Sequence, residues 1–279
     1  MDDDARASLD AILDTRITDV GELSGGYVGS VYRVETADCR TLAAKVGDTP
    51  LSLEGRMLEY LDRESSLPVP AVHVATDDLL VMEYVDGDDR WTAATERDVA
   101  ERVAALHECS ADAYGFPFET ISGPFSQPNP WTDSWVEFFR ECRLRPFAER
   151  AHAEGVLPEE TLTRVRTLAD RLGEWLVEPD APALIHGDFW PGNLVVAEES
   201  LQAVLDPAIY YGHDELELAY AANSFGESFF ERYRECRGID AGFERRRSVY
   251  DAFHTLENVR FFGRDRLDDL RETLDELGL

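Results

Sequence analysis

Residues 186–193 read His-Gly-Asp-Phe-Trp-Pro-Gly-Asn, and thirteen positions beyond Asn193 stands Asp206, in Leu-Asp-Pro. A carboxylate, an amide five residues on and a second carboxylate after a short apolar stretch supply the groups that phosphoryl transfer needs. Asp188 can take the proton of an attacking hydroxyl. Asn193 and Asp206 offer the hard oxygen donors that suit a Mg²⁺ ion bridging phosphates. His186 is placed with this catalytic set, and its expected task is to pack and hydrogen-bond so that the loop holds Asp188. No Gly-x-Ser-x-Gly elbow is present, so a serine hydrolase reading falls away.

A phosphate-handling lysine comes from a separate part of the chain. Lys and Arg together number 27, and Lys45 is the sole lysine. It falls in the third strand-like stretch, where a compact ammonium can reach α- and β-phosphates and a planar guanidinium is a poor substitute. Glu54, on the helix that follows, is spaced to pair with Lys45 and fix its direction. Gly25, Gly26 and Gly29 lie between the first two strand-like stretches, where backbone N–H groups could approach phosphate. The run Leu80-Val81-Met82-Glu83-Tyr84-Val85-Asp86-Gly87 leaves a strand and enters a polar loop. Glu83, Tyr84 and Val85 there could contact adenine through the main chain.

These groups need elements to hold them. Strands are expected at Ile17–Leu23, Ser30–Thr36, Thr41–Val46, Ala71–Ala75 and Leu79–Tyr84, with a helix over 51–62 carrying Leu53, Met57, Leu58 and Leu61 on one face. Beyond 85–90 the pattern turns helical: 96–108, 135–154, 159–177, 214–236, 241–262 and 266–277. A short hairpin, Leu194–Ala197 and Leu201–Leu205, follows the catalytic segment. The layout is α+β and bilobal: a small antiparallel β-sheet lobe over 1–84 that binds nucleotide, a hinge at 85–90, and a helical catalytic and substrate lobe over 91–279. This is a protein kinase-like architecture.

The chain has 279 residues and a formal charge of −30. Such acidity excludes a general nucleic-acid binder, because phosphates are repelled nearly everywhere on the surface. With one lysine against so many carboxylates, it also reads as the surface of a protein from a salt-loaded cytoplasm, where ionic strength screens self-repulsion. No apolar run reaches the length of a membrane span. Met1-Asp2-Asp3-Asp4 has the wrong charge for a signal peptide. Cys39, Cys109, Cys142 and Cys236 form no CxxC pair, consistent with free thiols in a reducing compartment. A cytoplasmic location is expected. The sequence carries no signal of oligomeric state.

His186-Gly-Asp-x4-Asn193 with Asp206 resembles the aminoglycoside phosphotransferase-like small-molecule kinases, whose fold is similar to that of protein kinases. Within them the chain is most similar to the fructosamine/ketosamine-3-kinase branch. Residues 206–219, Asp-Pro-Ala-Ile-Tyr-Tyr-Gly-His-Asp-Glu-Leu-Glu-Leu-Ala, look like that branch's signature. Trp190 matches too, as do Ile121-Ser-Gly-Pro-Phe-Ser-Gln127-Pro-Asn129-Pro-Trp131, Trp135, Phe138-Phe139 and Arg143-Leu144. The resemblance implies ATP- and Mg²⁺-dependent phosphorylation of the 3-hydroxyl of a ketosamine, either a small sugar-amine or a glycated protein. It also suggests that Trp190 either packs on the sugar or its amine-bearing group or wedges its loop onto the helical lobe, and that Glu215 either meets the cationic amine or serves as a structural cap. The chain departs from the branch at Tyr27, Gly29/Ser30 and Pro191. Glu217 stands in place of the Asp that braces the catalytic loop, and Leu256-Glu257-Asn258 in place of Leu-Asn-His. Two other readings stay open: a kinase of the same superfamily acting on an aminoglycoside, choline-like or other alcohol, and a nucleotide-binding pseudokinase. A protein kinase fits least, since Asp206-Pro207-Ala208 replaces Asp-Phe-Gly.

Overall fold

The structure is a computed structural model that describes residues 9, 12–23, 29–47, 49–88 and 90–279. Strands β1 (Ile17–Leu23), β2 (Ser30–Thr36), β3 (Thr41–Val46), β4 (Val72–Ala75) and β5 (Leu79–Glu83) form an antiparallel sheet in the order β1-β2-β3-β5-β4. Helix α1 (Leu51–Glu64) packs on one face. The period-two alternation of β3 divides its side chains between two apolar clusters. Leu42 and Ala44 join Ile17, Val34 and Val81, whereas Ala43 joins Leu51, Leu58, Leu80 and Met82 under α1. Lys45 shares the parity of Ala43 and therefore emerges on the α1 side.

The remainder is mostly helical: α2 (Ala93–His107), α3 (Trp135–Phe138), α4 (Arg145–Ala153), α5 (Glu159–Arg171), α6 (Asp214–Ala221), α7 (Glu227–Cys236), α8 (Phe243–Phe262) and α9 (Leu267–Glu276). Helix α8 packs against α4, α6 and α9, and α2 packs against α7. The α+β, kinase-like layout expected from the sequence is the one observed. No helix among the described residues is long and apolar enough to cross a membrane.

Three differences from the expected elements have physical causes. The helix expected over 135–154 is interrupted by a π-helical turn, Phe139–Leu144. Such a bulge re-aims side chains, and here Arg143 turns wholly inward, its guanidinium 3.9 Å from the Tyr210 ring centroid and donating to the Pro128 carbonyl at 3.1 Å. The helix expected over 214–236 breaks between α6 and α7, where Phe225 is buried and Gly226 N–H donates to Glu96 Oε1 at 2.9 Å. Finally, β6 (Thr120–Ser122), β7 (Phe125–Gln127), β8 (Ala183–Ile185) and β11 (Tyr210–Gly212) were not anticipated. Strands of three residues are too short to show an alternation.

The hairpin β9 (Leu194–Ala197) and β10 (Ser200–Val204) was expected, and it receives the chain leaving β5. Asp88 N–H donates to the Val196 carbonyl at 2.9 Å. A Cβ on Gly87 would stand 2.9 Å from Val195 and 3.1 Å from the Val196 carbonyl, so a glycine permits this close passage.

Candidate active site

Two local pairings assemble the catalytic segment. Strand β8 pairs antiparallel with β11, and the ladder continues where Ala208 N–H donates to the His186 carbonyl at 2.8 Å. Gly187 at φ +83° makes the close approach possible: a Cβ there would lie 2.4 Å from the Ala208 carbonyl oxygen. Leu194 pairs with Val204 at the open end of the β9–β10 hairpin, and Leu205 N–H donates to the Asn193 carbonyl at 2.8 Å. The first pairing sets Asp188 beside the segment 206–208. The second sets Asn193 beside Asp206. Asp206 itself sits at φ +52°, left-handed and directly before Pro207, a strained backbone of the kind found at functional sites.

Asp188, Asn193, Asp206, Lys45 and Glu54 all line one cleft of about 340 Å³. Lys45 Nζ donates to Glu54 Oε2 at 2.8 Å and to Asp206 Oδ1 at 2.6 Å, bridging the sheet lobe to the catalytic segment. Burial works to lower the Lys45 pKa, but Asp206 and Glu54 together outweigh it and hold it above the ordinary lysine value. Burial likewise opposes ionisation of Asp206, yet the Lys45 charge and hydrogen bond win and its pKa is lowered. Glu54, deeply buried and repelled by Asp206, is pushed up. One ammonium serves two carboxylates, and Asp206 is the one held firmly ionised.

Asn193 Nδ2 donates to Asp188 Oδ2 at 2.7 Å and to the Asp188 carbonyl at 2.9 Å. With its nitrogen committed there, the amide presents its oxygen as the remaining donor toward a cation. Asp206 and Asn193 therefore fit the small oxygen-ligand set that Mg²⁺ takes from protein when phosphates and water complete its shell. The Asp188 pKa is raised to about 7, chiefly by burial, with hydrogen bonds from Asn193 and Tyr220 opposing and the charges of Glu257 and Asp206 adding. A carboxylate poised near neutrality is suited to accept a proton.

His186 is fully buried and does not line the cleft. Burial lowers its pKa and keeps it neutral, and its Nδ1 receives the Asp188 N–H at 3.4 Å. It positions the loop. Glu217 does the same from below, accepting from Gly187 N–H at 2.8 Å and His186 N–H at 3.2 Å, with His107 Nε2 at 2.8 Å. The longer glutamate side chain thus reaches both backbone N–H groups of the catalytic loop.

Trp190 lines the cleft and lies over Gly192, where a Cβ would come within 2.2 Å of its ring. It thus both faces the cavity and packs within its own loop. Gly29, at φ +78°, closes against β3, since a Cβ would meet the Val46 carbonyl at 2.4 Å. Gly25 and Gly26 lie outside the described residues. Glu83, Tyr84 and Val85 sit at the end of β5 and do not line the cleft that holds Asp188.

Glu215 requires a correction. It was expected to meet the amine of the acceptor, but it is buried and engaged by Arg246, with Nε–Oε2 and Nη2–Oε1 both at 2.6 Å. Its carboxylate is absent from the cleft lining because this two-pronged pair holds α6 to α8.

The far wall of the cleft was not anticipated as a site. It is formed by Tyr220 of α6 and by His254, Glu257, Asn258, Phe261 and Phe262 of α8. Spacings of three and four put these on one face of the helix. The signal available in the sequence was a polar run, His254, Glu257 and Asn258, at helical spacing on one face ahead of Phe261 and Phe262. The hairpin tip Ile121-Ser122-Gly123 overhangs the same space. Asn129 holds that hairpin, donating to Thr120 Oγ1 at 2.9 Å while accepting from Arg143. The motif residues 121–144 thus form a brace for one cleft wall.

A sheet lobe with a lysine–glutamate pair, joined by a short connection to a helical lobe bearing a paired Asp/Asn loop and a second Asp, defines a kinase-like phosphotransferase. The chain belongs to the fructosamine kinase family, whose model matches residues 3–278, and it is an ATP-dependent phosphotransferase. It is similar to the chloroplastic protein-ribulosamine 3-kinase of Arabidopsis thaliana, 29% identical over 265 residues, 89% of this chain and 79% of the relative. A crystal structure from Thermobifida fusca described as of the fructosamine-3-kinase type superposes with a TM-score of 0.86 at 29% identity, covering 97% of this chain and 96% of the other. An ADP-bound aminoglycoside phosphotransferase shares the fold, with a TM-score of 0.68 at 17% identity over 98% of this chain and 97% of the other.

Proposed function

We propose that the protein transfers the γ-phosphoryl group of Mg²⁺-ATP to the 3-hydroxyl of a ketosamine, a sugar joined to an amine by glycation. The observation that carries this reading is the cleft itself. It gathers Lys45, Asp188, Asn193 and Asp206, and it is also lined by the indole of Trp190 and the carboxylate of Glu257. A sugar fits between them with an aromatic face on one side and acceptors for its hydroxyls and cationic amine on the other.

In the proposed reaction Asp188 orients the 3-hydroxyl and accepts its proton as that oxygen bonds to the γ-phosphorus. The bond from phosphorus to the β–γ bridging oxygen breaks, and ADP leaves with that electron pair. Lys45, held by Glu54, steadies the α- and β-phosphates. Asn193 and Asp206 would hold Mg²⁺, which neutralises charge on the transferring group. Adenine would lie where the chain leaves β5. Glu83 N–H is already donated to the Ala71 carbonyl and Tyr84 N–H to the Thr41 carbonyl, which leaves the Val85 main chain for the base. Residues 1–84 then act as the nucleotide lobe, 85–90 as the hinge and 91–279 as the catalytic and substrate lobe. Gly25, Gly26 and Gly29 would cover the phosphates.

The test is phosphate transfer from Mg²⁺-ATP at high salt to a panel of ketosamines, amino alcohols and aminoglycosides. Ketosamines should have the highest kcat/KM. Faster turnover of any other alcohol class would remove the ketosamine assignment, and absence of transfer to every acceptor would favour a pseudokinase.

A further inference from the structure

Glu257 takes no part in the phosphoryl transfer itself, and it lies on the face of α8 that walls the cleft. Its side chain is only 14% exposed. His254 Nδ1 stands 3.3 Å from Oε2, a long contact, while His254 Nε2 is 3.1 Å from the Leu216 carbonyl. Because a carbonyl only accepts, Nε2 carries a proton, and the ring lies against Tyr220 of α6 with centroids 4.5 Å apart. No hydrogen bond among the described residues reaches Oε1. Oε1 is not sealed inside the protein, so it stays open to a donor from a ligand in the cavity.

The charge balance of the cleft says what that ligand is. Four carboxylates line it, those of Glu54, Asp188, Asp206 and Glu257, against the single ammonium of Lys45. Glu54 and Asp206 are both bonded to Lys45, and Asp188 is bonded to Asn193. Glu257 has the long contact with His254 Nδ1 and, among the described residues, no hydrogen bond from a lysine, arginine or amide side chain. Its charge nevertheless reaches Asp188 and Tyr220, contributing to the raised pKa of each. A cation bound beside Glu257 is therefore close to the base. In a ketosamine the secondary ammonium is separated from the 3-hydroxyl only by C1, C2 and C3, so the two groups must bind near one another.

We infer that Glu257 is the specificity-determining residue that receives the ammonium of the acceptor through Oε1, with Phe261, Phe262 and Trp190 around the amine's substituent. This deepens the ketosamine reading and rests on it. Glu257 selects charged sugar-amines over neutral sugars of the same shape, and the bound cation offsets the repulsion that Glu257 exerts on Asp188.

The test compares wild type, Glu257→Gln and Glu257→Asp on two acceptors with one sugar: an N-alkyl fructosamine and its neutral 1-O-alkyl ether. Glu257→Gln should raise KM for the amine by about 10- to 100-fold, leave KM for the ether within about threefold and change kcat little. Glu257→Asp should recover part of the preference. Thermal unfolding and the Kd for ATP, read in parallel, should stay at wild-type values. An unchanged KM for the amine, or an equal rise for both acceptors, would overturn the inference while leaving the ketosamine reading intact. If wild type phosphorylates neither compound but accepts another alcohol, the ketosamine reading fails and the role of Glu257 falls with it.

Discussion

Asn193 donates its amide N–H to Asp188 Oδ2 at 2.7 Å, so the proposed metal ligand and the proposed base are one hydrogen-bonded unit. Asn193→Ala should remove an oxygen ligand and at the same time release the Asp188 carboxylate. A loss of kcat of about 10²–10⁴-fold is expected. Because the bond from Asn193 lowers the Asp188 pKa, the variant's pH–rate profile should also move to higher pH. A profile unmoved in position would show that the two side chains act separately.

The raised pKa of Asp188 has consequences for rate and stability. Activity should rise with pH through the region near 7 as the carboxylate ionises, and then level. Stability runs the other way. A carboxyl whose folded pKa lies above its unfolded value binds more protons in the native state, so its contribution is full at low pH and is lost as pH rises toward about 7. Asp188→Asn, which carries no charge, should therefore be more stable than wild type by ~1 kcal/mol or more at pH 8 and equal to it near pH 4. Thermal melts at the two pH values check this, together with loss of turnover by several orders of magnitude in the variant. Equal melting temperatures at pH 8 would mean that Asp188 is better solvated than its surroundings suggest.

Glu217 illustrates the opposite shift. It is completely buried, which raises its pKa, but His107, His186 and the Gly187 N–H outweigh this and hold it down. Its stabilising contribution is thus present above the ordinary carboxylate range and is lost as pH falls through its lowered value. Glu217→Ala would leave the His107 ring and two backbone N–H groups without their acceptor. A loss of about 3–5 kcal/mol is expected, or roughly 10 °C in Tm. The shorter Glu217→Asp should retain part of this.

What could be read from the sequence follows the range of the forces involved. The first three strands had the bounds later observed, because alternation and turn residues act locally. Lys45 was marked by its type, and Asp188, Asn193 and Asp206 by their spacing along one short loop and hairpin. Glu215 failed because the partner that engages it, Arg246, lies 31 residues away, and no local pattern reveals such a pair. The wall formed by α8 was missed for a related reason. The stripe at 254, 257, 258 and 261 reads as one helix face, but only the packing of α8 on α6 turns that face to the cleft.

The charge of −30 carries its own expectation. If the acidic surface is an adaptation to a salt-loaded cytoplasm, self-repulsion should be relieved by screening. Raising KCl from about 0.1 to 2 M, where the Debye length falls below about 3 Å, should increase Tm and preserve activity. Full stability and activity at low salt, with no gain on addition, would point to coding bias as the origin of the composition.

The most direct test of the central proposal is the position of the phosphate on the product. Wild-type protein, Mg²⁺-ATP and an N-alkyl fructosamine should yield ADP and a single phosphorylated sugar-amine. Phosphorus–proton correlation by NMR should place the ester on O3. An ester on any other oxygen, or ADP release without a phosphorylated ketosamine, would contradict the account.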